Sequence, residues 1–216
     1  QVYYVDRVAK PISTSFKKVF QTLKRIKAYK PLFLFLIAYF FYIDGVHTII
    51  TMSTAYGTDL GISSTNLLII LFATQVIAAP FAMLYGKLAD KFTGKKMLLV
   101  GIFIYIIICI YAYFMKTTLD FWILAMLVGS SQGGIQALSR SYFAKLVPKE
   151  NANEFFGFYN IFYKFASILG PALVGVTAQI TGNTNAGVFS LVILFILGGA
   201  VLLRVPETNE KIQINS

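Results

Sequence analysis

The chain has 216 residues, 57% of them hydrophobic and only 13% charged, with a net charge of +10. Charge this sparse, about half that of an ordinary soluble domain, together with a mean hydropathy of +0.70, excludes a water-soluble fold of this size. Nucleic-acid binding needs cations on a solvent-exposed face, and here the lysines and arginines lie between apolar runs, so that partner is excluded as well.

Residues 1–30 set eight basic residues against Asp6 and cannot cross a bilayer. Val19, Phe20, Leu23 and Ile26 recur at helical spacing with lysines opposite, the pattern of a basic amphipathic helix on a lipid surface; a solvated cytoplasmic linker is the alternative. A bilayer core of roughly 30 Å needs about 20 apolar residues per helix. Six such spans are expected over 31–56, 65–88, 96–115, 120–146, 154–181 and 185–205. The predicted class is therefore an all-α membrane protein with one six-helix transmembrane bundle over 31–206 and a tail over 207–216. Turn residues at Asp59-Leu60-Gly61, Thr93-Gly94, Pro148 and Gly182-Asn183 separate the spans.

Lysine and arginine collect on the cytoplasmic side of short loops. The set of span ends that includes both termini holds 17 of the 19 basic residues; the opposite set holds Lys116, and Lys164 lies inside a span. Both termini are expected in the cytoplasm, in a multi-pass protein of a bacterial inner membrane. Cys109 is the single cysteine, so no intrachain disulfide and no thiolate metal site is available; no cofactor and no metal is expected.

The connection between the second and third spans reads Gly86-Lys87-Leu88-Ala89-Asp90-Lys91-Phe92-Thr93-Gly94-Lys95-Lys96. It resembles the loop signature of the major facilitator superfamily, except that Thr93 stands where the family pattern has a glycine. Gly86 is expected to let two helices approach closely, Asp90 to stabilise a neighbouring helix N-terminus, and Lys91 and Lys95 to hold the loop at the anionic leaflet, with Gly94 at the turn. A second segment, Gly133-Gly134-Ile135-Gln136-Ala137-Leu138-Ser139-Arg140-Ser141-Tyr142-Phe143-Ala144, followed by Pro148, Glu154 to Tyr159, Lys164-Phe165 and Gly170-Pro171, resembles the vacuole-effluxer-like branch of that superfamily. The resemblance covers residues 30–206 and matches the second group of six helices. It implies a twelve-helix transporter working by alternating access, with the N-terminal six-helix half on the same chain or supplied by a second copy.

An ionisable residue inside the bilayer costs at least ~2.5 kcal/mol, so each one needs a partner, a cavity or a role. Asp44 lies deep in the first span, and His47, three residues on, shares its face, a pair suited to proton exchange or substrate contact. The plainer reading makes Asp44 an ion-pair partner and His47 a hydrogen-bonded wall residue. Lys164 and Asn160 share a face of the fifth span, where Lys164 is placed to reach Asp44 or an anionic substrate, or else snorkels to the interface. Gln132 and Gln136 are candidates for lining a cavity, with Gln75 and Tyr163 as weaker ones. Arg140, on the same face as the two glutamines, reads as a gating residue or as a partner of Glu150 or Glu154. Gly129 with Gly133, and Ala166 with Gly170, read as close-packing pairs, and Pro80 and Pro171 as kinks.

With one histidine, one cysteine and no phosphate-cradling loop, an enzyme is not expected. The leading function is a secondary active transporter of a small-molecule solute, ion- or proton-coupled, with membrane lipid as its surroundings and amino acids as the cargo that the resemblance implies. The alternative is a non-transporting membrane subunit or scaffold that binds a partner.

Overall fold

The computed structural model describes residue 22 and residues 24–206. Six helical stretches among them are long and apolar enough to cross a membrane, and no strand occurs among them. The first four are single helices: α1 (Lys30–Asp59), α2 (Ser64–Phe92), α3 (Gly94–Phe114) and α4 (Thr118–Leu146). The fifth stretch is two helices, α5 (Ala152–Phe165) and α6 (Leu169–Thr181), and so is the sixth, α7 (Thr184–Ser190) and α8 (Val192–Leu203). The fifth span was expected to be continuous, and its interruption at Ala166, Ser167 and Ile168 is the main departure from that expectation.

Local chemistry sets the helix ends. Pro31 sits in the first turn of α1, where its missing N–H costs nothing. The Thr117 hydroxyl accepts from the Asp120 N–H at 3.2 Å and the Asp120 carboxylate accepts from the Thr117 N–H at 3.0 Å, a reciprocal cap that starts α4. Gly61 and Gly182 turn the chain with φ of +75° and +65°. Pro171 falls in the first turn of α6, so it begins a helix and does not kink one.

Packing relies on small residues, as it must where lipid is as apolar as leucine. A methyl group on Gly129 would lie 2.8 Å from the Thr74 carbonyl oxygen, and one on Gly133 would lie 2.5 Å from that of Ala78. The backbone of α4 therefore rests on that of α2, as the Gly129 and Gly133 spacing leads one to expect. Gly86 behaves differently: a methyl group there meets nothing within 4 Å, so the close helix approach expected at this residue is not made. Between α1, α4 and α5 the core is aromatic, with Tyr39 stacked on Tyr159 at 4.4 Å and Phe143 tilted against Tyr159 at 4.7 Å.

The basic amphipathic stretch falls largely outside the described residues, as do Val19, Phe20, Leu23 and the tail from 207. Its described part is helical over 24–28 and packs on protein: Ile26 is fully buried, Arg25 pairs with Glu154 at 3.1 Å, and the Thr22 hydroxyl donates to the same carboxylate. Contacts between spans distant in sequence define the two ends of the bundle. Lys95 meets Leu203 and Val205 at the lysine-rich end, and Asn185 meets Tyr113 and Met115 at the opposite one.

The two glycines should separate in a thermal-stability measurement on detergent-purified protein. Gly133→Ala is expected to cost ~1–3 kcal/mol, because the methyl is forced against a backbone carbonyl. Gly86→Ala is expected to be neutral or to stabilise by up to ~1 kcal/mol, because it removes only the flexibility of a helix-interior glycine.

Candidate functional site

Asp44 stands halfway along α1 and is fully buried. Its partner is not a basic side chain but the first turn of α6: one carboxylate oxygen accepts from the Gly170 N–H at 3.0 Å and the other from the Leu169 N–H at 3.0 Å. Those N–H groups have no intrahelical acceptor, and the positive end of the helix dipole adds to the attraction. The Thr48 hydroxyl donates to the Asp44 carbonyl at 2.7 Å and lies 3.5 Å from its carboxylate, one turn along. Only glycine fits at 170, since a methyl group there would lie 1.9 Å from the Thr48 hydroxyl and 2.9 Å from the Asp44 carboxylate. This also assigns the small-residue spacing of Ala166 and Gly170: Gly170 makes room for the cap.

His47 faces the other side of the same break. Its Nδ1 lies 3.0 Å from the Ser167 hydroxyl and its ring meets the Tyr163 ring edge-on at 4.3 Å. Asp44 and His47 are therefore not bonded to each other, although both hold the fifth span at its interruption. Lys164 and Asn160 are exposed on α5, and among the described residues Lys164 makes no ion pair with Asp44, contrary to the reach expected of it. Exposed Tyr163 and Ser167 continue that polar strip down to the break.

A cleft opens beyond Asp44 toward the end opposite the lysines. Thr48, Ser53, Tyr56, Gln75 and Gln132 give it a few polar groups on a wall of Ile49, Ile70, Phe121, Leu124, Val128 and Val174, the composition of a small-solute pocket. Gln132 thus lines a cavity, while Gln136, one turn further along α4, is half-buried outside it. Arg140 is exposed, with its guanidinium 6.0 Å from the Phe156 ring, and Glu154 is engaged by Arg25 and Thr22.

At the lysine-rich end Gly86, Asp90, Gly94, Ser141 and Lys145 surround a second pocket. Asp90 is exposed and caps no helix, so the role expected of it there is not filled; the first turn of α3 has no side-chain cap. Lys91 lies over the Phe92 ring at 5.5 Å. Lys95, expected at the lipid, is buried, and its ammonium donates to the Leu203 carbonyl at 3.0 Å and the Val205 carbonyl at 2.6 Å. A cation thus closes the C-terminal end of α8, the counterpart of the anion that closes the N-terminal end of α6. Thr93 takes the glycine conformation that the loop signature calls for, with φ +88°, and its buried hydroxyl finds no hydrogen-bond partner among the described residues.

Sequence reasoning missed Ser167, Thr48 and the two α6 amides. A signal for them was present in Ser167-Ile168-Leu169-Gly170-Pro171, where a Gly-Pro step inside an apolar run marks a helix start.

A family model described as vacuole effluxer Atg22 like matches residues 4–215. The uncharacterized MFS-type transporter YxiO of Bacillus subtilis (strain 168) is 70% identical over 207 residues, which cover 96% of this chain and 48% of that protein. Autophagy-related protein 22 of Vanderwaltozyma polyspora is 30% identical over 195 residues, covering 83% of this chain and 37% of its own. That of Saccharomyces cerevisiae (strain ATCC 204508 / S288c) is 31% identical over 203 residues, covering 88% and 38%. The chain spans about half the length of the bacterial relative and less of the fungal ones.

Two substitutions test the local geometry by thermal unfolding. Gly170→Ala is expected to destabilise by ~1–3 kcal/mol or more, because the methyl displaces both Thr48 and the Asp44 carboxylate. Thr93→Gly is expected to stabilise by ~1 kcal/mol, because it relieves a backbone conformation that suits glycine and removes a buried unpaired hydroxyl.

Proposed function

Since the chain belongs to the vacuole effluxer Atg22-like family of major facilitator transporters, and is an integral multi-pass transport protein and not an enzyme, we propose that it forms one bundle of an ion- or proton-coupled secondary active transporter. The cargo is a small solute, with amino acids the class that the family analogy favours, and the mechanism is alternating access. The N-terminal six-helix half, on the same chain or in a second copy, completes the pathway. Both termini lie in the cytoplasm and the membrane is the bacterial inner membrane, because the basic residues gather at one end of the bundle.

The observation that carries this reading is the two-sided grip of α1 on the interrupted fifth span, Asp44 on the Leu169 and Gly170 amides and His47 on Ser167. An interrupted helix inside a membrane protein is tolerated where its freed polar groups line a cavity or meet protein, and it is where transporters place their solute and ion sites. Asp44 and His47 are the coupling residues, because any change in their charge or contacts acts on the junction of α5 and α6. Asn160, Tyr163 and Lys164 present the polar face of α5 to the solute, and Gln132 and Gln136 face it from α4. Arg140 and the loop of Gly86, Asp90, Lys91, Gly94 and Lys95 gate the lysine-rich end.

The test is flux of an amino-acid panel in proteoliposomes under an imposed pH or sodium gradient. The wild-type protein is expected to show gradient-driven flux and Asp44→Asn to lose at least about 90% of it, a barrier increase of ~1.4 kcal/mol or more. Absence of driven flux for every solute would count against the transporter reading, and undiminished flux in Asp44→Asn would remove Asp44 from the coupling role.

A further inference from the structure

The interruption of the fifth span leaves more than a hinge. In an unbroken helix the amides of Ser167, Ile168, Leu169 and Gly170 would bond to the carbonyls of Tyr163, Lys164, Phe165 and Ala166, and the amide at 171 to that of Ser167. Here the Leu169 and Gly170 amides are turned to the Asp44 carboxylate, and Pro171 has no N–H to give. The bonds around the break are Ala166 N–H to the Phe162 carbonyl at 2.8 Å and Ala172 N–H to the Ile168 carbonyl at 3.4 Å. Around the break no donor meets the five carbonyls between, from Tyr163 to Ser167, in normal hydrogen-bond geometry, and only a looser turn closes over Ala166 and Ser167.

Five successive free carbonyls at the C-terminal end of a helix carry concentrated negative partial charge, and leaving such groups unmet inside a membrane protein costs several kcal/mol each without water or a cation. The Ser167 hydroxyl stands among them, 3.0 Å from His47 Nδ1, and Ser167 is exposed on the polar strip. Lys164 sits at the same turn, yet its ammonium donates to none of the five. Oxygen-only ligands of this kind, neutral carbonyls and one hydroxyl with a carboxylate engaged just behind them, suit a hard cation of low charge.

We propose that the break binds a sodium ion, held by released carbonyls of residues 163–167 and the Ser167 hydroxyl, and that this ion is the coupling ion of the transporter. The proposal rests on the transporter reading above for its coupling role but not for the binding itself. Asp44 acts here as a positioning residue: by holding the Leu169 and Gly170 amides it fixes the start of α6, and with it the placing of the carbonyls across the break.

The experiment is equilibrium binding of radioactive sodium to the intact, detergent-purified protein, with choline as the replacement salt and potassium as competitor, in the wild type, Ser167→Ala and Asp44→Asn. Circular dichroism and thermal unfolding establish that each variant is folded. Saturable sodium binding is expected in the wild type. It is expected to weaken by about tenfold or more in Asp44→Asn, the size of effect seen when a group supporting metal ligands is removed, and by a smaller factor in Ser167→Ala. No saturable sodium binding to folded wild-type protein, or binding equal in all three proteins, would overturn the proposal. Proteoliposome flux separates the two readings: driven flux in sodium-free medium contradicts the sodium inference and leaves the transporter standing, whereas sodium binding without driven flux of any solute does the reverse.

Discussion

A buried carboxylate in a membrane protein must be met by donors that replace its water, and Asp44 meets them at the start of α6. The geometry of the fifth span follows from that contact. Two backbone amides pointed at an anion cannot also continue a helix, so α5 must end at Phe165 and α6 must begin anew at Leu169. Gly170 is required because a side chain would fill the space of the carboxylate, and Pro171 is accepted because the first turn needs no donor from it. The same carboxylate reaches across from α1, so the middle of the first span and the middle of the fifth are fixed to each other at the depth where transporters place their sites.

Lys95 supplies the matching contact at the lysine-rich end. Its ammonium is buried against the last carbonyls of the sixth span, where a cation is favoured as strongly as an anion is at a helix start. Between these two charged caps the bundle is held by apolar contact, glycine-mediated between α2 and α4 and aromatic between α1, α4 and α5. Buried charge here therefore completes helix ends, and among the described residues the ion pair of Arg25 and Glu154 lies at the lysine-rich edge.

How much of this the sequence revealed depended on whether the determinant was local. The spans were legible because about 20 apolar residues in a row have one meaning in a bilayer. Gly129 and Gly133 were legible because helical spacing places them on one face. Asp44 was conspicuous by its cost, but its partner was not, because a backbone amide exists at every residue and carries no sequence mark. Lys95 sits in a run with Lys91 and Lys96, and only the return of α8 beside the loop distinguishes it. Gly86 matched a signature whose close contact is not made, whereas the unusual backbone that the signature needs was taken up by Thr93.

The measurement that bears most directly on the Asp44 cap is amide hydrogen exchange at Leu169 and Gly170 in the purified protein, compared between the wild type and Asp44→Asn. If the carboxylate holds the start of α6, both amides are protected in the wild type and exchange at least about tenfold faster in the variant, with little change in α2 and α4. Equal protection in the two proteins would mean that α6 begins at Leu169 for another reason, and the account of the interrupted span built on Asp44 would be wrong.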